Sequence, residues 1–342
     1  FQMQLAQLLS QRNEDAPGVE KKYDLAAVKE LIEEIPFELS DDQKKVVNEI
    51  FADLHSKRQM RRLLQGDVGS GKTVVAVFAI YAAVTAGYQA ALMVPTEILA
   101  QQHFAKIDEL LKPLGVRVAL LTGDTKDLEK KEIYHELADG TINVVIGTHA
   151  LIQKDVHFKD LGLVIIDEQH RFGVNQRNTL IKKGDAPDIL AMTATPIPRT
   201  LALTVYGDMA VSEIRHLPKG RKPVVSSWAT SNKLREVLDL MRSQLDKGFQ
   251  IYVVTPLISE SEKSDLKNAE DLQAKIAHYF KDENVVLLHG QMKGDQKNEI
   301  MDSFAAGKIN ILVTTSVIEV GVDVPNANMM VIFNADRFGL SQ

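Results

Sequence analysis

The stretch Gly66-Asp67-Val68-Gly69-Ser70-Gly71-Lys72-Thr73 sets three glycines, a lysine and two hydroxyls between two apolar runs. Glycines let a backbone curl until successive N–H groups face phosphate oxygens, and a helix N-terminus behind them adds a favourable dipole. In that arrangement Gly66, Gly69, Ser70 and Gly71 form the cradle. Lys72 reaches the β- and γ-phosphates of a nucleotide such as ATP, and the Thr73 hydroxyl holds Mg²⁺. A glycine-rich strand-to-helix turn is the plain alternative, but the full pattern arises by chance in only roughly one chain in a hundred of this length. A second acidic cluster follows about one hundred residues later: LVIIDEQH places Asp167 and Glu168 just past an apolar run. In phosphoryl-transfer sites a carboxylate so placed anchors the metal and a neighbour activates water, so Asp167 is the candidate Mg²⁺ ligand and Glu168 the candidate general base.

These residues need a scaffold. From Phe37 to Leu217, short apolar segments rich in Val, Ile and Leu (RRLLQG, QAALMVP, VRVALLTG, INVVIGT, GLVIIDE, DILAMTAT) alternate with helical patterns. Such runs suit strands buried on both faces, and the helices between them imply crossovers and a mainly parallel sheet. Each run ends in small or polar residues, which places those clusters at the carboxyl edge where open α/β sheets bind ligands. HLPKGRKPV is a Pro/Gly/basic break. After it the alternation restarts with VVSSWAT, FQIYVVTP, NVVLLHG, INILVTTS and MMVIFN. No short-period repeat is visible, but the halves read as two copies of one architecture, of which only the first has the phosphate loop. The expected domains are a helical N-terminal segment over 1–36, with Leu25, Val28 and Ile32 on one face, then α/β domains over 37–217 and 218–342.

With 342 residues the chain has ample length for two cores, and 45% hydrophobic with 25% charged residues is ordinary for a soluble globular protein. Without cysteine it has neither disulfides nor thiolate metal sites. No apolar run is long enough to span a bilayer and no signal peptide is visible, so no membrane partner and a cytosolic location are expected. A net charge of −6 disfavours coating the whole surface with nucleic acid while leaving room for a local groove. The first residue, Phe1, hints at a fragment.

GDVGSGKT, VPTEILAQQH, GTHALI, DEQHRFGV, TATPIPRT and VTTSVIEVGVDVPNA occur in the order and spacing of superfamily 2 helicases and translocases, and from Phe37 onward the chain resembles the RecG-type ATP-dependent DNA helicases. The resemblance implies two tandem RecA-like domains with the nucleotide in the cleft between them, ATP and Mg²⁺ as cofactors, and a bacterial monomer acting on forked or branched duplex DNA at the nucleoid. It also implies roles. Phe37 and Gln43 resemble an adenine-contacting motif, although Ser40-x-x-Gln43 is equally a capping box. Gln169, His170, Thr193 and Thr195 resemble the segments that link hydrolysis to domain movement, with strand-end capping as the alternative. Thr96, Gly123, Thr148, His149, Gly290 and Thr315 resemble contacts to the DNA backbone, which position a strand without reading its sequence; N-caps and turn glycines are the alternatives. Gly321 and Asp323 resemble residues that approach the nucleotide from the second domain. Arg199 is expected to pair structurally. A transcription-repair coupling translocase and a non-hydrolysing ATP/DNA clamp remain as other readings, whereas a small-molecule kinase would need no second motif-bearing half. The chain ends NADRFGLSQ, ahead of the arginine-rich segment usual in this family, and only a short segment precedes the core, where a RecG-like wedge domain would stand. Poor ATP hydrolysis by this chain is therefore expected.

Overall fold

The computed structural model of the chain describes residues 17–194, 209–216, 224–256, 262–315, 324 and 326–337. The chain divides into two compact units, Phe1–Lys222 and Pro223–Gln342.

The first unit is built on a seven-stranded sheet. Its strands are β1 (Arg61–Gly66), β2 (Gln89–Met93), β3 (Val118–Leu121), β4 (Val144–Gly147), β5 (Leu161–Ile166), β6 (Asp188–Thr193) and β7 (Ala210–Ile214). They lie in the order β3-β4-β2-β5-β6-β1-β7, each pair parallel, so all seven carboxyl ends share one edge. β2, β4, β5 and β6 are buried along their whole length, as continuous apolar runs require. β7 was not legible as a run. It alternates, with Ser212 and Ile214 facing inward, as befits an edge strand.

The helices of this unit are α1 (Leu25–Glu34), α2 (Asp41–Leu54), α3 (Lys72–Thr85), α4 (Glu97–Leu111), α5 (Asp127–Asp139) and α6 (Val174–Ile181). α3 is apolar all round and buried from Val74 to Ala83, which explains its long apolar run without a membrane. On α1 the buried stripe is Val28, Leu31 and Ile35. Leu25 and Ile32, expected on the inner face, are 65% and 53% exposed. Just before α1, Lys21 is fully enclosed and its Nζ meets Asp188 Oδ2 at 2.5 Å, at the start of β6.

The second unit holds a four-stranded parallel sheet of β8 (Gln250–Val254), β9 (Val285–Leu288), β10 (Ile311–Thr314) and β11 (Ala327–Ile332), in the order β11-β8-β10-β9. Helices α7 (Leu234–Leu245), α8 (Glu262–Tyr279) and α9 (Gly294–Ala305) accompany it. Its core joins Met241 and Leu245 of α7 and Ile276 of α8 to Ile251, Val253, Ile311 and Val313 of the sheet. The expected strand VVSSWAT is corrected here. Residues 224–230 form no strand, and Val225 and Trp228 are 91% and 87% exposed. β-propensity alone does not make a strand where no neighbouring edge supplies the ladder of hydrogen bonds.

One connection is built identically in both units. Leading into β3, Arg117 N donates to Asn143 Oδ1 at 2.9 Å; leading into β9, Asn284 N donates to Asn310 Oδ1 at 2.9 Å. Lys130 Nζ, on α5, reaches back seven residues to the Gly123 carbonyl (3.0 Å), and Lys297 Nζ, on α9, does the same to Gly290 (2.7 Å). The first residue of the adjoining strand secures the exit of each helix. Gln89 Nε2 donates to the Leu137 and Ile142 carbonyls, and Gln250 Nε2 to those of Phe304 and Ile309. Among the described residues, no helix is long and apolar enough to cross a membrane.

Candidate functional site

Strand order decides what meets. β5, β6 and β1 are adjacent, so the segments leaving their carboxyl ends converge: Asp167-Glu168 after β5, Thr193-Ala194 at the end of β6, and the Gly66–Thr73 loop after β1. Register brings Gln65 beside Thr193 and Ile166 beside Ala191.

The loop has the backbone its sequence requires. Gly69 and Gly71 stand at φ 75° and 89°, the left-handed region that glycine occupies without strain. Gly66 has no room for a side chain, because a Cβ there would lie 2.5 Å from Ser70 Oγ. That Ser70 hydroxyl is buried and has no hydrogen-bond partner. Lys72 opens α3 and donates from Nζ to the Gly66 and Asp67 carbonyls at 2.6 and 3.2 Å. Burial holds its amine below the ordinary lysine value, while the charges of Asp167, Glu168 and Asp67 pull the other way.

Gln43 completes the capping box and also reaches the phosphate loop. Its Oε1 accepts the Ser40 N–H at 2.8 Å, completing the capping box of α2, and its Nε2 donates to the Ser70 carbonyl at 2.9 Å. The capping residue therefore tethers the phosphate loop. Each polar atom retains capacity for a further partner. Phe37, six residues earlier, is more than half exposed.

Asp167 is buried and doubly held. Oδ1 accepts the Glu168 N–H at 3.0 Å, and Oδ2 lies 2.9 Å from Nε2 of His103, a residue of α4 that the sequence reading did not single out. Burial alone would raise this carboxyl, but the hydrogen bond and charge of His103, then Lys72 and the Glu168 N–H, outweigh it and hold the group below the ordinary aspartate value. Glu168 moves the opposite way. Burial first, and then the charge of Asp167, raise it against His170, Lys72 and the Ala194 N–H. Glu168 also carries a left-handed φ of 46°, a conformation that costs a non-glycine residue about 1–3 kcal/mol and recurs at functional sites. Two neighbouring carboxyls whose affinities for a proton are driven apart in this way are suited to different tasks.

Next to them, Gln169 is buried with neither end of its amide hydrogen-bonded, and exposed His170 places Nδ1 3.5 Å from Glu168 Oε2. Thr193 is buried at the end of β6. Thr195, Arg199, Gly321 and Asp323 lie outside the described residues.

These groups fit a nucleoside triphosphate with its cation. The cradle offers an unpartnered hydroxyl and left-handed glycines, and a lysine faces two carboxylates. Thr73 and Asp167 carry the hard oxygen atoms that would suit Mg²⁺, which keeps phosphate and water as its other ligands. Gly71→Ala tests the cradle directly. A Cβ there would sit 2.1 Å from Gln43 Nε2, on a backbone that costs an alanine about 1–2 kcal/mol. Nucleotide affinity measured by titration is expected to fall roughly tenfold.

The other half of the edge, β3, β4 and β2, carries the second group of candidates. Thr96 is the N-cap of α4, its hydroxyl accepting the Leu99 N–H at a long 3.4 Å. Gly123 is exposed after β3, Thr148 is buried at the end of β4, and His149 is exposed with its ring 6.0 Å from that of Phe172. In the second unit Gly290 is exposed after β9 and Thr315 is buried after β10, the positions that Gly123 and Thr148 hold in the first.

Known proteins share this layout. Residues 40–204 match the DEAD/DEAH box helicase family and residues 232–342 the helicase conserved C-terminal domain. The ATP-dependent DNA helicase RecG of Streptococcus pneumoniae serotype 4 is 54% identical over 343 residues, covering 100% of this chain and 51% of that protein. RecG of Staphylococcus aureus (strain NCTC 8325) is 52% identical over 342 residues, covering 100% of this chain and 49% of that one. The structure of RecG bound to a three-way DNA junction superposes with a TM-score of 0.82 at 44% identity, covering 99% of this chain and 44% of its counterpart. The chain thus spans about half the length of the curated relatives it matches. It has two tandem RecA-like helicase domains and is similar along its whole length to the RecG-type helicases.

Proposed function

We propose that this chain is the motor core of an ATP-dependent DNA helicase that moves on branched duplex DNA, in the service of fork remodelling and branch migration. The observation that carries the reading is the convergence of the Gly66–Thr73 loop, Asp167-Glu168 and Thr193 at the ends of three adjacent parallel strands. Relatives named ATP-dependent DNA helicases, one of them solved on a three-way DNA junction, support the direction of the work. ATP sits on the loop, with Lys72 on its terminal phosphates and the adenine near Phe37 and Gln43. Thr73 and Asp167 would hold Mg²⁺, which would neutralise charge on the phosphates. Glu168, ionised, orients a water and takes its proton, and its raised affinity for a proton suits that step. Gln169, His170, Thr193 and Thr195 relay the state of the nucleotide. Thr96, Gly123, Thr148, His149, Gly290 and Thr315 hold the DNA backbone through hydroxyls and N–H groups, so binding is indifferent to sequence.

The test is ATP turnover and nucleotide affinity with and without a three-way branched duplex, beside Glu168→Gln. Branched DNA is expected to raise turnover in the wild type. The variant keeps nucleotide binding and loses turnover by about 10²-fold or more, the usual scale for a general base. If DNA alters neither quantity in the wild type, the reading fails.

A further inference from the structure

His103 stands on α4 two turns after Thr96, a rise of about 10 Å along one rigid helix. Its ring is buried, and Nε2 is 2.9 Å from Asp167 Oδ2. An ionised carboxylate only accepts, so Nε2 carries the hydrogen and donates. The backbone repeats the link, because the Asp167 N–H donates to the Met93 carbonyl at the end of β2, the strand that runs into α4. With Oδ1 on the Glu168 N–H and Oδ2 on His103, the plane of the carboxylate is fixed and its remaining lone pairs have one direction. Mg²⁺ demands near-octahedral ligands, so that direction matters more than it would for a softer or larger ion.

We infer that His103 is a positioning residue that couples the Thr96 turn to the metal-binding carboxylate of Asp167, so that DNA at the N-terminus of α4 and Mg²⁺-nucleotide two turns further along it sense each other through a single side chain. The inference rests on the reading of the previous subsection. In thermodynamic terms it assigns part of the linkage between the two ligands to this hydrogen bond, and such linkage is reciprocal.

The experiment titrates a fluorescent ATP analogue into the chain with and without Mg²⁺ and with and without forked duplex DNA. In the wild type, DNA tightens Mg²⁺-nucleotide binding. In His103→Ala the Mg²⁺ concentration for half-maximal tightening is expected to rise about 10- to 100-fold, the usual cost of losing a hydrogen-bond partner of a metal ligand. Nucleotide affinity without Mg²⁺ stays within about twofold, and the effect of DNA on Mg²⁺-nucleotide binding shrinks towards none. His103→Gln, whose amide N–H reaches the same oxygen, restores both. His103→Asn, too short to reach it, shows the alanine behaviour and replaces alanine if that variant does not fold. Wild-type Mg²⁺ dependence and DNA linkage in both the Ala and Asn variants would overturn the inference and leave His103 a packing residue. Absence of Mg²⁺-dependent or DNA-linked nucleotide binding in the wild type itself would instead overturn the parent reading.

Discussion

Lys72→Ala is expected to lower ATP turnover by at least about 10²-fold, the scale of removing one preorganised charge from a phosphoryl-transfer site. The residue opens α3 and its amine lies within the field of Asp167 and Glu168, so its removal takes a positive side chain away from the phosphate loop. Nucleotide binding falls as well, which separates this variant from Glu168→Gln, where binding persists and only the chemistry stops. Lys72→Arg is not a rescue. The guanidinium is a wide planar fork, whereas the loop grips a compact ammonium with two carbonyls 2.6 and 3.2 Å away. Turnover of Lys72→Arg close to wild type would show that charge alone suffices there.

The largest effect on stability is expected at Lys21. Its amine is enclosed against Asp188, with the Tyr88 ring 5.0 Å from Nζ. Removing one member of a buried ion pair strands the other, at a cost of about 3–5 kcal/mol. For a domain of this size that is a drop in melting temperature of about 10 °C. Asp188 cannot simply be truncated, because Oδ1 also accepts the Met60 N–H at 2.6 Å. The double variant Lys21→Met with Asp188→Asn keeps that bond without the charge and is expected to recover most of the loss. A melting curve for Lys21→Met alone that matches wild type would show that water reaches the pair.

Much of this molecule was legible because parallel strands buried on both faces announce themselves as unbroken apolar runs, and β2, β4, β5 and β6 read as they fold. β7 did not, since an edge strand with Ser212 and Glu213 in it lacks that signature. VVSSWAT carried the signature without the strand, because propensity cannot say whether an edge is available. The phosphate loop and the Asp-Glu pair were legible from local spacing. His103 was not. It meets Asp167 across 64 residues of sequence, and although it closes the VPTEILAQQH motif, nothing in that spacing names the carboxylate it will face. Lys21 escaped for a similar reason, lying 167 residues from its partner. A charged residue that will be buried looks in sequence like one that will be solvated.

The matched connections on either side of the chain have an implication for ancestry. The bonds that coincide (Asn143 with Asn310, Lys130 with Lys297, Gln89 with Gln250) secure the passage from strand to helix to strand. Further residues coincide around them, among them Gly123 with Gly290, Gly140 with Gly307 and Thr148 with Thr315. Duplication followed by divergence leaves this trace: the scaffold of the turn is inherited intact, together with the glycine and threonine that end its strands. The segment from Arg117 to Thr148 and the segment from Asn284 to Thr315 are on this view interchangeable cassettes, each bringing its own internal fastenings when grafted into the place of the other.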